Sequence, residues 1–141
     1  MTIAECNDAV SLVKAWPVIR QLRNHISKDE FLLRVRAASG GGYRLFALET
    51  DGEFVGLIGC RPVNDLAFGR SLYVDDLVVD SAARGLGHGK ELIMFARQHA
   101  VAEDCDSIRL TSNFQRTAAH AFYDRQGFDR TGYTFNMVVR G

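Results

Sequence analysis

Three glycines at alternate positions, Gly85, Gly87 and Gly89, stand between an apolar run ending at Val79 and an amphipathic stretch beginning near Lys90. Glycine permits positive backbone φ angles and lets a ligand approach the main chain closely. The first turn of a helix directs unpaired N–H groups outward, with the positive end of the helix dipole behind them. The segment therefore predicts an anion-binding turn suited to phosphate.

The spacing of the glycines excludes two common phosphate-binding motifs. A Walker loop requires Gly-x-x-x-x-Gly-Lys-Ser/Thr, but counting back from Gly89 and Lys90 puts Arg84 at the first glycine position. A dinucleotide fingerprint, Gly-x-Gly-x-x-Gly, lacks its third glycine whether it is read from Gly85 or from Gly87. The pattern that fits is Arg-x-x-Gly-x-Gly, formed by Arg84, Gly87 and Gly89.

A second group of candidate residues follows a predicted strand. Asn113 stands near the strand end, Tyr123 lies in the next predicted helix, and Gly127-Phe128 closes that helix. From the residues alone, Tyr123 can be a core side chain with its hydroxyl at the rim, and Asn113 can be a helix N-cap.

The two segments together resemble the Gcn5-related N-acetyltransferase (GNAT) superfamily. In that family Arg-x-x-Gly-x-Gly binds acetyl-CoA, and the strand before it splays from the next strand so that pantetheine enters the gap. The resemblance implies acetyl-CoA as co-substrate. The cofactor-binding residues that it implies are Leu77, Val78, Val79, Arg84, Gly85, Leu86, Gly87, His88, Gly89, Lys90, Asn113 and Tyr123.

The resemblance also implies separate roles for these residues. The backbone of Leu77 and Val79 would bond the pantetheine amides, and residues 84–90 would hold the pyrophosphate. A backbone N–H near Leu77 or Val78 would polarise the thioester carbonyl. Tyr123 would act as the catalytic acid on the departing thiolate.

Two adjacent acids, Asp75 and Asp76, interrupt an otherwise apolar strand. Adjacent strand residues point to opposite faces, so we expect the two acids not to share one environment. Burying an unpaired carboxylate is costly, which calls for an arginine partner, a break in the pleat such as a bulge, or a catalytic cleft. Either acid could help to remove the proton from an acceptor amine, and a solvated or salt-bridged aspartate is the alternative.

Length and composition narrow the class of protein. The 141 residues predict a single domain, 1–141, and the equal numbers of acidic and basic residues argue against nucleic-acid or anionic-membrane binding. Three widely spaced cysteines predict reduced thiols in a cytoplasmic protein, with Cys60 a buried small hydrophobe. The start of the chain predicts no signal peptide, no apolar run is long enough to span a membrane, and the scattered histidines predict no metal site.

Hydrophobic periodicity and turn signals predict an α/β fold with a mixed central sheet and helices on both faces. Asp51-Gly52 predicts a type I′ hairpin, Ser27 to Glu30 a capping box, and Pro17 a kink or a break in the first helix. The predicted strands are 2–6, 43–50, 53–61, 71–80, 107–112, 128–130 and 133–139, and the predicted helices are 10–23, 27–38, one from the glycine turn to 103, and 115–126. Residues 62–69 are predicted to be a turn-rich connection. This order is similar to the GNAT fold.

The predicted function is acetyl transfer from acetyl-CoA to a primary amine of a small molecule or peptide. A non-catalytic acyl-CoA-binding sensor domain and a protein or peptide acetylase are the alternatives. The absence of a charged tail favours a small amine, antibiotic or polyamine acceptor over a protein. The resemblance also suggests a homodimer formed through the terminal strands.

Overall fold

The computed structural model of the protein describes residues 1–141, and its main feature is one five-stranded sheet. In chain order the elements are β1 (Thr2–Glu5), α1 (Ala9–Ile19), α2 (Lys28–Ser39), β2 (Arg44–Thr50), β3 (Glu53–Asp65), β4 (Gly69–Val79), a short 3-10 turn (Ser81–Ala83), α3 (His88–Ala102), β5 (Ser107–Leu110) and α4 (Thr117–Arg125). The chain divides into two compact units, Met1–Leu110 and Thr111–Gly141. None of the helices has the length and apolar content that crossing a membrane requires.

The sheet is mixed, as predicted, with strand order β1-β2-β3-β4-β5. The first four strands pair antiparallel, whereas β5 pairs parallel to β4 because α3 carries the chain back to the same end. Asp51 and Gly52 both have positive φ angles, which confirms the type I′ hairpin between β2 and β3.

Helices cover both faces of the sheet. On one face α1 and α2 contribute Val18, Ile19 and Phe31 to a buried cluster with Leu57 of β3. On the other face α3 buries Leu92 against the backbone of β3, where a Cβ on Gly56 would lie 3.0 Å from the Leu92 side chain. Truncating a buried leucine such as either of these to alanine typically costs about 2–5 kcal/mol.

The starts of the first two helices are capped by side chains. Asp8 and Ser11 form a full capping box at α1, which the sequence analysis missed. Ser27 caps α2 by accepting a hydrogen bond from the Glu30 N–H, but the Glu30 carboxylate pairs with Arg34 instead of completing the predicted box.

Pro17 lies inside the last turn of α1. The helix ends two residues later, at Ile19, so it is shorter than the predicted 10–23 and is not followed by a second short helix. Proline lacks an N–H and crowds the preceding turn, so a helix interior with proline is kinked or broken, which is consistent with the early end of α1.

Two segments have a different secondary structure from the one predicted. Residues 62–69 are mostly strand, because β3 continues through Pro62, which pairs with Leu72, to Asp65. Conversely, residues 128–141 contain no strand, although 128–130 and 133–139 were predicted as strands. Alternating apolar residues indicate only a preference for extended structure, and a strand also needs a partner for its backbone hydrogen bonds.

Candidate active site

A β-bulge in β4 controls where the two adjacent acids point. Gly59 pairs with Asp76 and Cys60 pairs with Val74, so Asp75 is an extra residue without a partner in β3. A bulge breaks the regular alternation of side chains. Asp75 and Asp76 therefore line the same pocket, and the expectation that they would not share one environment is wrong.

Asp76 is held by two donors. Its Oδ1 accepts from Nε of Arg23 at 2.8 Å, and its Oδ2 accepts from the Tyr43 hydroxyl at 2.7 Å. Only 14% of the Asp76 side chain is exposed. With both carboxylate oxygens bonded, Asp76 is suited to positioning its neighbours.

Asp75 is less restrained. Its two oxygens lie 3.0 and 3.3 Å from Nε of Arg61, and its backbone carbonyl accepts from Arg23 at 2.6 Å. Burial raises the pKa of the Asp75 carboxyl above its ordinary value, and the hydrogen bond and charge of Arg61 oppose this shift only in part. A carboxylate with a raised pKa in a pocket is a candidate proton acceptor.

Tyr43 reaches Asp76 by crossing β3 directly over Gly59. A Cβ built on Gly59 would overlap the hydroxyl and ring of Tyr43, so only glycine leaves room for this side chain. Tyr43 is buried, and burial together with the charge of Asp76 holds its pKa well above the ordinary tyrosine value. The hydroxyl is therefore a permanent donor to Asp76 near neutral pH.

The pocket above these acids has a volume of about 440 Å³. Its charged side consists of Arg23, Arg34, Arg61 and the two aspartates. Its apolar side comes from α1, α2 and the turn between them and consists of Ile19, Ile26, Phe31, Val35, Ala37 and Ala38. A pocket of this size accommodates a small molecule.

The C-terminal half of β4 has an edge that β5 leaves unpaired. The parallel ladder between the two strands covers Ser71–Val74 and ends where Val74 meets Leu110. Of the next five residues, 76–79 pair only with β3, and the bulged Asp75 pairs with neither strand. Residues 77–79 therefore have no partner strand on this side, where an extended amide chain can pair with a strand edge. The pantetheine site that the resemblance implies at this edge stays a prediction.

The glycine turn joins this edge of β4 to α3. Gly85 and Gly87 have φ angles of 79° and 85°, and a Cβ on either would meet open space. Gly87 is the N-cap of the 15-residue α3, and no side chain caps the first-turn N–H groups of His88, Gly89 and Lys90. An uncapped helix start of this kind can bind an anion, and the binding of a pyrophosphate here stays a prediction.

The second unit contains the other two predicted site residues. Asn113 accepts a hydrogen bond from the Gln115 N–H in a turn before α4, while Arg116 is the N-cap, so Asn113 is not the cap of this helix. Tyr123 lies between two aromatic rings, Phe122 at 5.5 Å and Phe128 at 5.8 Å.

Burial raises the pKa of the Tyr123 hydroxyl, and the charge and hydrogen bond of Arg116 oppose the shift. The raised pKa keeps the hydroxyl protonated near neutral pH, which an acid requires. Gly127 has a φ of 93° and ends α4 as the predicted C′ residue, with the Phe128 N–H bonded to the Tyr123 carbonyl.

The structure brings together Asp75, Asp76 and the backbone of residues 77–79, and a short 3-10 turn connects β4 to residues 84–90. Arg23, Tyr43 and Arg61 were missed by the sequence analysis. The need for an arginine partner was recognised, but nothing in the spacing of the arginines shows which ones reach β4. Cys60 is buried, and burial raises the pKa of its thiol to about 12, which confirms its prediction as a small hydrophobe.

Comparison with known proteins shows the family. The profile of the Acetyltransferase (GNAT) family matches residues 11–128. The chain is 31% identical over 128 residues to the uncharacterized N-acetyltransferase YhdJ of Bacillus subtilis (strain 168), a match that covers 89% of this chain and 90% of that protein. It is 32% identical over 122 residues to N-acetyltransferase 8 of Rattus norvegicus, covering 83% of this chain and 55% of that protein.

Solved structures show the same fold. The aminoglycoside N-acetyltransferase AAC(6')-Iy in complex with the bisubstrate analog CoA-S-monomethyl-acetylneamine superimposes with a TM-score of 0.85 at 17% identity, covering 99% of this chain and 98% of that one. The chain therefore belongs to the GNAT family of N-acetyltransferases and has its acetyl-CoA-binding fold. It spans about half the length of the rat relative.

Proposed function

We propose that the protein transfers the acetyl group of acetyl-CoA directly to a primary amine. The observation that carries this proposal is the unpaired edge of β4 at residues 75–79. This edge leads at one end into the glycine turn and begins at the other end with the acid that lines the pocket. On this proposal, the donor site and the acceptor site lie within a few residues of each other on one strand.

The donor side consists of two parts. Residues 84–90 hold the pyrophosphate through first-turn N–H groups and the positive charges of Arg84 and Lys90. The backbone of Leu77 and Val79 bonds the pantetheine arm as an added strand. When bound, acetyl-CoA supplies the thioester acetyl group, and the N–H of Val78 or Leu77 polarises its carbonyl.

On the acceptor side, Asp75 attracts the substrate ammonium and accepts its proton. A lysine-like amine has a pKa of about 10.4, so exposing its lone pair at pH 7 costs roughly 4–5 kcal/mol. Asp75 is the better candidate of the two acids because both oxygens of Asp76 are bonded to Arg23 and Tyr43. Asp75 passes this proton to solvent, and the amine nitrogen bonds to the acetyl carbon as the C–S bond breaks. The nitrogen then loses its second proton to solvent, which returns one proton to Tyr123 after Tyr123 has protonated the thiolate.

Tyr123 is proposed to protonate the departing thiolate, as the resemblance implies. Its half-buried hydroxyl with a raised pKa supports this role. A thiol that resembles cysteine has a pKa of about 8.5, so the proton is a modest aid, worth about one to two orders of magnitude in rate. Asn113 is proposed to lie beside the pantetheine arm.

A screen of acetyl-CoA consumption tests the proposal. Thiol release and product mass are measured with amino acids, short peptides, polyamines and aminoglycosides as acceptors, and CoA binding is measured by calorimetry. Acetylated product from one of these amines supports the proposal. CoA binding without transfer to any amine would support the alternative of an acyl-CoA-binding sensor domain.

We further propose a cytoplasmic location, which the free thiols of Cys6, Cys60 and Cys105 support. A homodimer is proposed from the resemblance alone, and light scattering of the purified protein tests it. Cell fractionation with an antibody tests the location.

A further inference from the structure

The charged side of the acceptor pocket carries more positive than negative charge. Three arginines, Arg23, Arg34 and Arg61, face two aspartates, Asp75 and Asp76. Arg23 and Asp76 neutralise each other at 2.8 Å. Arg61 pairs in the same way with Asp75 at 3.0 Å. Arg34 pairs with Glu30, which is outside the pocket lining, at 2.9 Å. Neither carboxylate of the lining is therefore unpaired, which disfavours a polycationic acceptor.

We infer that the acceptor is a free α-amino acid with an apolar side chain, its amine meeting Asp75 and its carboxylate meeting Arg61 and Arg34. The inference rests on the proposed function and names its substrate class. It replaces the sequence-based preference for a polyamine or antibiotic acceptor.

The geometry of Asp75 and Arg61 matches the two charges of an amino acid. Their oxygen and nitrogen atoms lie 3.0 Å apart, and an α-amino acid carries its ammonium and carboxylate on one carbon atom. Arg61 contacts Asp75 through Nε, and Arg34 contacts Glu30 through Nε. Each guanidinium retains two outer nitrogens, and a guanidinium binds a carboxylate best in a bidentate arrangement.

The apolar residues of the pocket lining fit the apolar side chain. Phe31 is buried, and Ile19, Ile26 and Val35 line the cavity beside it. The volume of about 440 Å³ accommodates an amino acid with a large side chain. A long polyamine would place methylene groups and charges against this apolar wall, where a charge is not solvated.

Matched acceptors test the inference. Phenylalanine, phenylalanine amide and phenethylamine share the ring and the amine, but only phenylalanine carries a carboxylate, and spermidine serves as the polycation. We expect kcat/KM for phenylalanine to exceed that for phenethylamine by about tenfold or more, since one charge-assisted contact contributes about 1.5–3 kcal/mol. Equal or higher kcat/KM for phenethylamine or spermidine overturns the inference.

The variant Arg34→Gln separates the anion site from the rest of the pocket. It is expected to lower kcat/KM about tenfold more for phenylalanine than for phenethylamine, because only phenylalanine loses a charge-assisted contact. Arg36→Gln is the matched control, since Arg36 is on the same helix but does not line the pocket. An equal loss on both acceptors in Arg34→Gln contradicts the inference.

A binding measurement makes the result independent of turnover. In the presence of CoA, calorimetry is expected to show phenylalanine binding that weakens in Arg34→Gln and persists in Arg36→Gln. Absence of phenylalanine binding to the native protein overturns the inference even if other amines are acetylated. Failure of the protein to bind CoA at all overturns the proposed function instead, so the two failures are distinguishable.

Discussion

Asp75 and Asp76 are neighbours in sequence with the same side chain, and their surroundings give them different properties. Asp76 has both oxygens bonded, to Arg23 and Tyr43, and is nearly buried. Asp75 is the bulged residue, has a raised pKa and shares only Arg61. At the residue scale, the partners of a carboxylate decide whether it positions other groups or exchanges a proton.

The substitutions Asp75→Asn and Asp76→Asn are therefore expected to act differently. Asp75→Asn removes the proton acceptor and lowers turnover by about 10²-fold or more, with CoA affinity unchanged. Asp76→Asn leaves Arg23 without its carboxylate and lowers the melting temperature as well as the activity. Steady-state kinetics, calorimetry and thermal denaturation distinguish these outcomes, and full turnover in Asp75→Asn would remove it from the mechanism.

Tyr123→Phe tests the proposed role of Tyr123 as the acid that protonates the departing thiolate. The variant keeps the ring between Phe122 and Phe128 and loses only the hydroxyl. We expect kcat to fall about 10- to 100-fold while the Kd for acetyl-CoA changes little. Unchanged kcat would show that the thiolate leaves without help from this residue.

At the scale of elements, β3 and β4 together form the pocket floor. The bulge at Asp75 turns both acids to one side, and Gly59 in the facing strand lets Tyr43 cross to Asp76. The same strand β4 then provides an unpaired edge because β5 ends its pairing at Leu110. The bulge at Asp75 in β4 and the glycine at position 59 in β3 thus shape the floor of the pocket.

Gly59→Ala is expected to destabilise the protein through Tyr43. The added methyl would overlap the Tyr43 ring, and crowding in a packed site typically costs about 1–3 kcal/mol. The control is the same substitution in a Tyr43→Ala background, where the methyl has room and the cost should largely disappear. Denaturant unfolding of the four proteins measures the coupling, and additive effects would contradict it.

Gly87→Val tests the phosphate-binding turn. Gly87 has a φ of 85°, where a branched side chain adds about 1–3 kcal/mol of strain, and the valine would also fill the open space at the helix start. Gly52→Val is a matched control because Gly52 has a φ of 79° and open space around it in a hairpin turn. We expect loss of CoA binding in the first variant only. Similar calorimetric affinity in both would place the pyrophosphate elsewhere.

At the scale of the whole molecule, paired charges give the fold opposing responses to pH. Arg44 lowers the pKa of Glu5 by hydrogen bonding, so this pair stabilises the fold above the ordinary pKa of 4.5 and loses its effect as pH falls through the lowered value. Asp75 acts in the other direction. Because the pKa of Asp75 is raised in the folded state, its contribution to the stability of the fold is complete below the ordinary pKa of 3.8. This contribution is lost as pH rises through the raised pKa.

These opposite signs predict the pH dependence of two variants. Relative to the native protein, Asp75→Asn is expected to gain stability as pH rises from about 3.8 toward neutrality. Glu5→Gln is expected to be less stable than the native protein at neutral pH, and this difference in stability should shrink as pH falls below 4.5. Melting temperatures between pH 3 and pH 7 measure both. Parallel curves for the native protein and Asp75→Asn would show that Asp75 carries no burial cost.

Most of the fold could be predicted because its signals are local. Apolar periodicity, the Asp51-Gly52 turn and the Ser27 cap each act within a few residues, and the order of elements through α4 is confirmed. The terminal strands were wrong because pairing depends on distant partners. The solved acetyltransferase superimposes with a TM-score of 0.85 at only 17% identity, so the same order of elements forms from a largely different sequence.

By itself, the sequence determined the predicted donor side of this protein. Glycines at a helix start predict an anion-binding turn because backbone N–H groups and glycine conformations are local properties, and the resemblance of Arg84, Gly87 and Gly89 to the family motif implies a pyrophosphate there. The tertiary structure alone decided which residues form the proposed acceptor side. Arg23, Tyr43 and Arg61 come from three separate parts of the chain, and only the bulge at β4 brings them against two acids in one pocket. Electrostatic partners depend on distances in space, which chain spacing does not encode.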